Sequence, residues 1–421
     1  MTTNLNLAPN VTLRALQTDK FKTGCFSINL LCPHCAETAA LDALLPSVLL
    51  RATEHYPDIA AISAHLDELY GASVGTLVRR KGEVKLIGFY GDYIEDAFLP
   101  EGESIFGEMV SFLEEIIYHP LTENGCFCTR FAEGEKQNLI NAIESELNDK
   151  RTYATAQLLR RMCQGEAYGV PRLGTAEAVR AITPQALWTR YQTLLRQARI
   201  ELFYAGRLTP AQAAAAFSAV FAGRERTACI PVQTQLVHQA QTVRECTERL
   251  DVAQGKLVMG LRTGITCSDR DYPALLLLNA VYGGCMTSKL FTNVREKRSL
   301  CYYASSSLEK YKGVMLISSG IAFADYDAAK SAILQELNDC KTGNISAFEL
   351  ESARRQVLSA LRVSLDSPIY LDDFYIGGAV AETADIPELM QAVQALQTED
   401  LTAAARKLSL DTVYFLKGVE A

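Results

Sequence analysis

Landmarks of one kind recur about 215 residues apart along this chain of 421 residues. Phe131 opens a stretch rich in Glu, Lys, Gln and Leu, and Phe348 opens a similar one that runs to Val363. Helix-start signals follow at Thr183-Pro184 and at Thr398-Glu399-Asp400. Each series closes in a short apolar strand ending on glycine, Ile200 to Gly206 and Thr412 to Gly418. So long a period describes one α/β unit present twice in tandem, not a short-period solenoid. Chain length agrees, because single cores stop growing near ~250–300 residues.

Strand patterns fall at 25–31, 73–78 and 83–90 in the first half, and at 255–261, 301–307 and 313–321 in the second. Stretches of helical pattern separate them, and 131–161 reads as one long helix. The expected fold is therefore α+β: two tandem homologous halves, each an antiparallel or mixed β-sheet with helices packed on one face. Residues 1–223 form the first half and 249–421 the second. Between them 224–248 is polar, contains Pro231 and lacks periodicity, so it reads as a linker.

Formal charge is −8, which speaks against nucleic acid or an anionic membrane as partner, since both need a basic face. Met1 to Lys22 has no continuous apolar stretch, and the most apolar run, Pro273 to Val281, is too short to span a bilayer. A cytoplasmic location is expected. Its twelve cysteines, including Cys25, Cys163, Cys229, Cys285 and Cys301, then read as buried free thiols.

Four patterns could carry chemistry. Cys32-Pro33-His34-Cys35 is a CxxC, usable for thiol redox if it opens a helix after a strand, and Glu37 to Leu50 reads as such a helix. A zinc site would need a second pair, for which only Cys126 and Cys128 offer themselves. Gly71-Ala72-Ser73-Val74-Gly75 fits GxSxG, but a helix precedes it and a strand follows, the reverse of a nucleophile elbow. The histidines, His34, His55, His65, His119 and His238, include no two spaced three or four apart. No helix can therefore offer two imidazoles to one metal. Last, Gly283-Gly284 is followed by Arg295 and by Tyr302, where a strand begins. An arginine and a tyrosine at such a junction can hydrogen-bond a peptide carbonyl, but spacing alone favours a solvated Arg-Glu-Lys-Arg run beside a core tyrosine.

Ser288 to Tyr302 resembles the C-terminal signature of the pitrilysin/insulinase metallopeptidase family, a pattern SrLf…Re…gLaY. Residues 53–58 with 66–72 resemble that family's segment after its zinc helix, and Tyr168 to Thr175 with Ile182-Thr183 resembles its "yG.p.lGt…it" stretch. The resemblance runs in order through both halves and implies a mitochondrial-processing-peptidase-like architecture. It also implies a zinc motif HxxEH whose positions here are Ala43, Pro46 and Ser47, with a distant ligand position at Ala142. Glu135 keeps the upstream acidic position, and Glu144 and Glu146 lie nearby. Alanine cannot ligate and proline cannot transfer a proton. Arg295 and Tyr302 do match the family's substrate-binding pair.

The resemblance thus implies a chain that binds no metal itself and is not a peptidase alone. It would be the non-catalytic, substrate-binding subunit of a heterodimeric zinc metallopeptidase. Its partner would bear HxxEH and the zinc, its ligand would be a peptide, and Gly283 and Gly284 would serve as hinge. Two other expectations stand beside it: a peptide-binding scaffold with no part in hydrolysis, and a thiol redox protein using Cys32 and Cys35.

Overall fold

The computed structural model describes residues 2–419. In chain order the elements are β1 (Thr3–Ala8), β2 (Val11–Gln17), β3 (Thr23–Pro33), α1 (Ala39–Leu49), α2 (Ile59–Glu68), β4 (Ser73–Lys81), β5 (Val84–Ile94) and α3 (Phe106–Tyr118). The short strands β6 (Thr122–Glu123) and β7 (Cys126–Phe127) precede α4 (Thr129–Ser145), α5 (Lys150–Met162), α6 (Ala176–Arg180) and α7 (Pro184–Gln197). Then come β8 (Arg199–Gly206), α8 (Pro210–Phe221), β9 (Arg244–Leu250), β10 (Gly255–Arg262), α9 (Tyr272–Asn279), β11 (Tyr303–Glu309) and β12 (Val314–Ile321). The chain ends with α10 (Tyr326–Thr342), α11 (Ala347–Ser364), α12 (Pro368–Gly377), α13 (Ile386–Ala395), α14 (Thr398–Lys407) and β13 (Ser409–Gly418).

Two mixed sheets carry these elements, in the orders β1-β2-β8-β3-β5-β4 and β11-β12-β10-β13-β9. In each, one parallel pair (β2 with β8, β13 with β9) sits among antiparallel neighbours. The mixed α+β fold expected from the sequence is what forms. The compact units are, however, discontinuous in the chain. One comprises residues 1–144, 170–233 and 368–380; the other comprises 145–169, 234–367 and 381–421.

Strand alternation explains the discontinuity. Phe26, Ile28, Leu30, Leu202 and Tyr204 face the main core of the first sheet, which the helices α1, α3, α7 and α8 cover. The intervening residues point the other way, and α12 covers them: Phe203 stacks on Tyr375 at 5.9 Å, and Ser27 hydrogen-bonds the buried Asp372. In the second sheet Leu257, Met259 and Phe415 face the main core, while Val258, Leu316 and Tyr414 face Ala154, Leu158 and Met162 of α5. Helices therefore lie on both faces of each sheet, where the sequence pattern foresaw one face.

Three segments depart from the sequence pattern. Residues 131–161 are two helices, because Asp149 caps α5 by accepting from the N–H groups of Arg151 and Thr152 and leaves a 3₁₀ turn before it. The strand patterns read from the sequence begin at Cys25, yet β1 and β2 form before it. The stretch read as linker ends inside β9, an edge strand whose outward residues are charged and so mask its alternation. Cys229 and Cys285 are half-buried, unlike the fully buried Cys25, Cys163 and Cys301.

Candidate functional site

Helix α1 carries the positions where HxxEH would stand. Ala43 and Pro46 are buried, Ser47 is half-buried, and Ala142 is exposed on α4. The Pro46 ring lines a small apolar cavity of 20 Å³ with Leu30, Leu45, Ile87 and Phe89. These residues offer no imidazole or carboxylate, and among the described residues no group of three His, Cys, Asp or Glu side chains is placed to hold a metal. The donor set does not fit zinc. Glu135 pairs with Arg51 at 3.0 Å, and Glu144 pairs with Arg180.

What α1 carries instead is a buried polar lattice. The Asp42 carboxylate, wholly buried, accepts from Arg190 Nε at 2.7 Å and Nη2 at 3.0 Å. Lys85 Nζ donates to the carbonyls of Ala39 (2.6 Å) and Arg172 (2.8 Å). Burial pushes the Lys85 pKa down to about 8 against the pull of Asp42. Cys32 Sγ sits 3.6 Å from Asp42 Oδ2, and burial, with Asp42 beside it, drives that thiol pKa well up. A thiol held protonated and out of solvent is a poor nucleophile, so Cys32 lacks the setting of an attacking thiol. Ser73 is likewise no elbow: it opens β4, follows Gly71 at φ +71°, and donates to Asp92 at 2.6 Å.

His34 is buried, with Nε2 at 3.0 Å from the Val170 carbonyl, and burial pushes its pKa down to about 4 from the ordinary 6.5. The unfolded chain therefore binds a proton at a higher pH than the folded one. Stability from this group is complete above pH ~6.5 and is lost as pH falls towards ~4. An NMR titration should show the His34 ring still neutral at pH 5, and unfolding free energy measured at pH 7 and pH 5 should drop by about 1–2 kcal/mol. A His34 titration near 6.5 would refute this.

The second constellation is differently built. After α9 the chain makes a π-helical turn over Ala280–Gly284 and a longer π-helical stretch over Leu290–Lys297. A Cβ on Gly283 would lie 2.7 Å from the Ser306 backbone nitrogen, and one on Gly284 2.8 Å from the Asn279 amide. Close approach to β11 and to its own helix thus accounts for both glycines, which lie inside one compact unit. Lys289, buried, pairs with Glu349 at 2.9 Å and ties the turn to α11. Ser299, at the pattern's glycine position, holds φ +52°, the left-handed region.

Arg295 and Tyr302 line one cleft of 430 Å³, together with Glu296, Cys301 and Asp325. Tyr302 is 67% exposed, so its hydroxyl is open to a ligand. The Arg295 guanidinium lies over the Phe291 ring at 4.6 Å, which fixes its stem and leaves the head partly solvated. It also borders a larger cleft of 840 Å³ lined by Arg151, Met286, Phe291, Ala304, Phe348 and Arg355 among others. Sequence patterns did not single out Arg151 or Arg355. A signal existed: Phe348, Ser352, Arg355, Gln356 and Ser359 share one face of α11 by spacing, and Phe348 is exposed.

The chain is 32% identical, over 97% of its length and 96% of the relative's, to the "Probable inactive metalloprotease YmfF" of Bacillus subtilis. The chain belongs to the peptidase M16 family. The profile described as "Peptidase M16 inactive domain" matches residues 181–357, which span the Arg295 and Tyr302 segment. A crystal structure of a conserved protein from Enterococcus faecalis V583 matches this M16 chain at TM-score 0.91 and 29% identity, covering 99% of both chains. The "Uncharacterized zinc protease YmxG" of B. subtilis is 31% identical over 29% of this chain and 30% of its own length. Among the described residues no helix is long and apolar enough to cross a membrane.

Proposed function

We propose that this M16 chain is the substrate-binding, non-catalytic subunit of a heterodimeric zinc metallopeptidase. The observation that carries the proposal is an asymmetry. The helix for the zinc motif holds Ala43, Pro46 and Ser47, while Arg295 and Tyr302 open onto one cleft. An HxxEH-bearing homologue would contribute the metal and the general base, and relatives described as zinc proteases match part of this chain. This chain's part is to hold an extended peptide: β11 ends its sheet, so its outer backbone groups suit strand addition. Arg295 would hydrogen-bond a peptide carbonyl, and the Tyr302 hydroxyl would orient it.

The test mixes the chain with an HxxEH-bearing sibling and follows cleavage of short peptides. Neither protein alone should match the mixture. Arg295→Ala combined with Tyr302→Phe should lower kcat/KM of the complex by about 10–100-fold, the usual effect of losing placed donors. Cleavage unaffected by the pair, with the complex intact, would remove their role. A stable complex with no turnover would favour a binding scaffold.

A further inference from the structure

The larger cleft has a charge pattern at odds with the molecule that carries it. The chain bears a formal net charge of −8, yet the residues lining this cleft include Arg151, Arg295 and Arg355 and no Asp or Glu. Arg151 Nη2 donates to the Ser305 hydroxyl at 3.0 Å, and its guanidinium stacks 4.5 Å from the Tyr303 ring centroid. Arg355 Nε donates only to a backbone carbonyl, that of Glu351 at 3.3 Å. Neither Arg151 nor Arg355 forms an ion pair with a carboxylate among the described residues, although Asp149 lies near enough to Arg151 to feel its charge, and Arg295 has only the sequence neighbour Glu296 at 3.6 Å. In the same unit the buried Arg262, by contrast, is matched closely by Glu166 and Asp411. Planar guanidiniums held by a hydroxyl, a ring or a carbonyl keep donors for a bidentate acid.

The same cleft touches β11 at Ala304 and Ser305, and β11 is the end strand of its sheet. Seven residues of strand offer about 23 Å of edge, enough for a peptide of about seven residues in extended form. Side chains of such a peptide alternate, so every second one faces the arginines while Met286, Phe291 and Phe348 supply apolar contact.

We propose that this cleft selects extended peptides by an acidic side chain seated among Arg151, Arg295 and Arg355. The inference rests on the peptide-binding function above and adds the class of peptide. Because the protein as a whole is acidic, long-range steering works against such a ligand, and the preference arises from short-range donors in the cleft.

Fluorescence anisotropy on the full chain tests it with three labelled peptides of about nine residues, long enough to span β11. They are alike except for Glu, Gln or Lys at alternate positions. The Glu peptide should bind at least about tenfold tighter than the Gln isostere in low salt, a difference that salt erodes. In Arg151→Gln/Arg355→Gln, both exposed positions, that preference, read as the ratio of the two affinities within the variant, should fall to about twofold. Equal binding of the Glu and Gln peptides, or a preference the variant retains, overturns the acidic selectivity and leaves the peptide site standing. Binding of no peptide at all overturns both.

Discussion

Arg262→Ala should lower the unfolding free energy by about 3–5 kcal/mol, the usual result of stranding buried charges. Arg262 is 1% exposed at the end of β10. Its Nε donates to Asp411 at 2.8 Å, and its Nη2 donates to Glu166 at 2.6 Å and to the Met162 carbonyl at 2.9 Å. Lys312 adds a second cation on Glu166 at 2.7 Å. Burial pushes the Glu166 carboxyl up, and hydrogen bonds from Arg262 and Lys312 outweigh it, holding the pKa below the ordinary 4.5. That contribution is present above pH ~4.5 and is lost as pH falls through the folded value. With arginine gone, Glu166 keeps one cation and Asp411 loses the guanidinium. Chemical denaturation of the variant at pH 7 measures the effect. A change under about 1 kcal/mol would mean that water already shares these charges.

Restoring the general-base position should also harm the protein. Pro46→Glu puts a carboxyl among Leu30, Leu45, Ile87 and Phe89, beside a cavity of only 20 Å³. A carboxyl in such a place stays protonated or costs about 3 kcal/mol or more when ionised. Its folded pKa would lie above the unfolded one, so the loss should grow as pH rises from 5 to 8. Melts at both pH values, with and without zinc, check this. A melting-temperature deficit relative to the parent protein that is the same at both pH values would place that side chain in solvent. The absent motif is thus more than four substitutions: the core beside α1 is closed over the position.

Much of this was legible because apolar periodicity survives without chemistry. The strands around Ile28, Ile87, Met259 and Ile317 stand out as apolar segments buried along most of their length, and the signature from Ser288 to Tyr302 stands in sequence as a local run. Edge strands were harder. β1 reads Thr-Asn-Leu-Asn-Leu-Ala and β9 reads Arg-Glu-Cys-Thr-Glu-Arg-Leu, because an edge strand needs only one covered face. The break at Asp149 was masked by helix formers on both sides of a capping residue. Arg151 and Arg355 were beyond reach for another reason. They lie about 200 residues apart and meet only through tertiary structure, so no local spacing links them.

The exchange of α5 and α12 between sequence halves sets a timetable for synthesis. Every strand of the first sheet has been made once Gly206 emerges, but Asp372, which pairs with Arg79 at 2.5 Å, follows about 170 residues later. At ordinary elongation rates that is a wait of roughly 10–30 s. During it the back of the sheet, with Ser27, Asn29, Arg79 and Phe203, stands uncovered. A ribosome stalled before residue 368 would hold a half-clad sheet, a natural client for a chaperone.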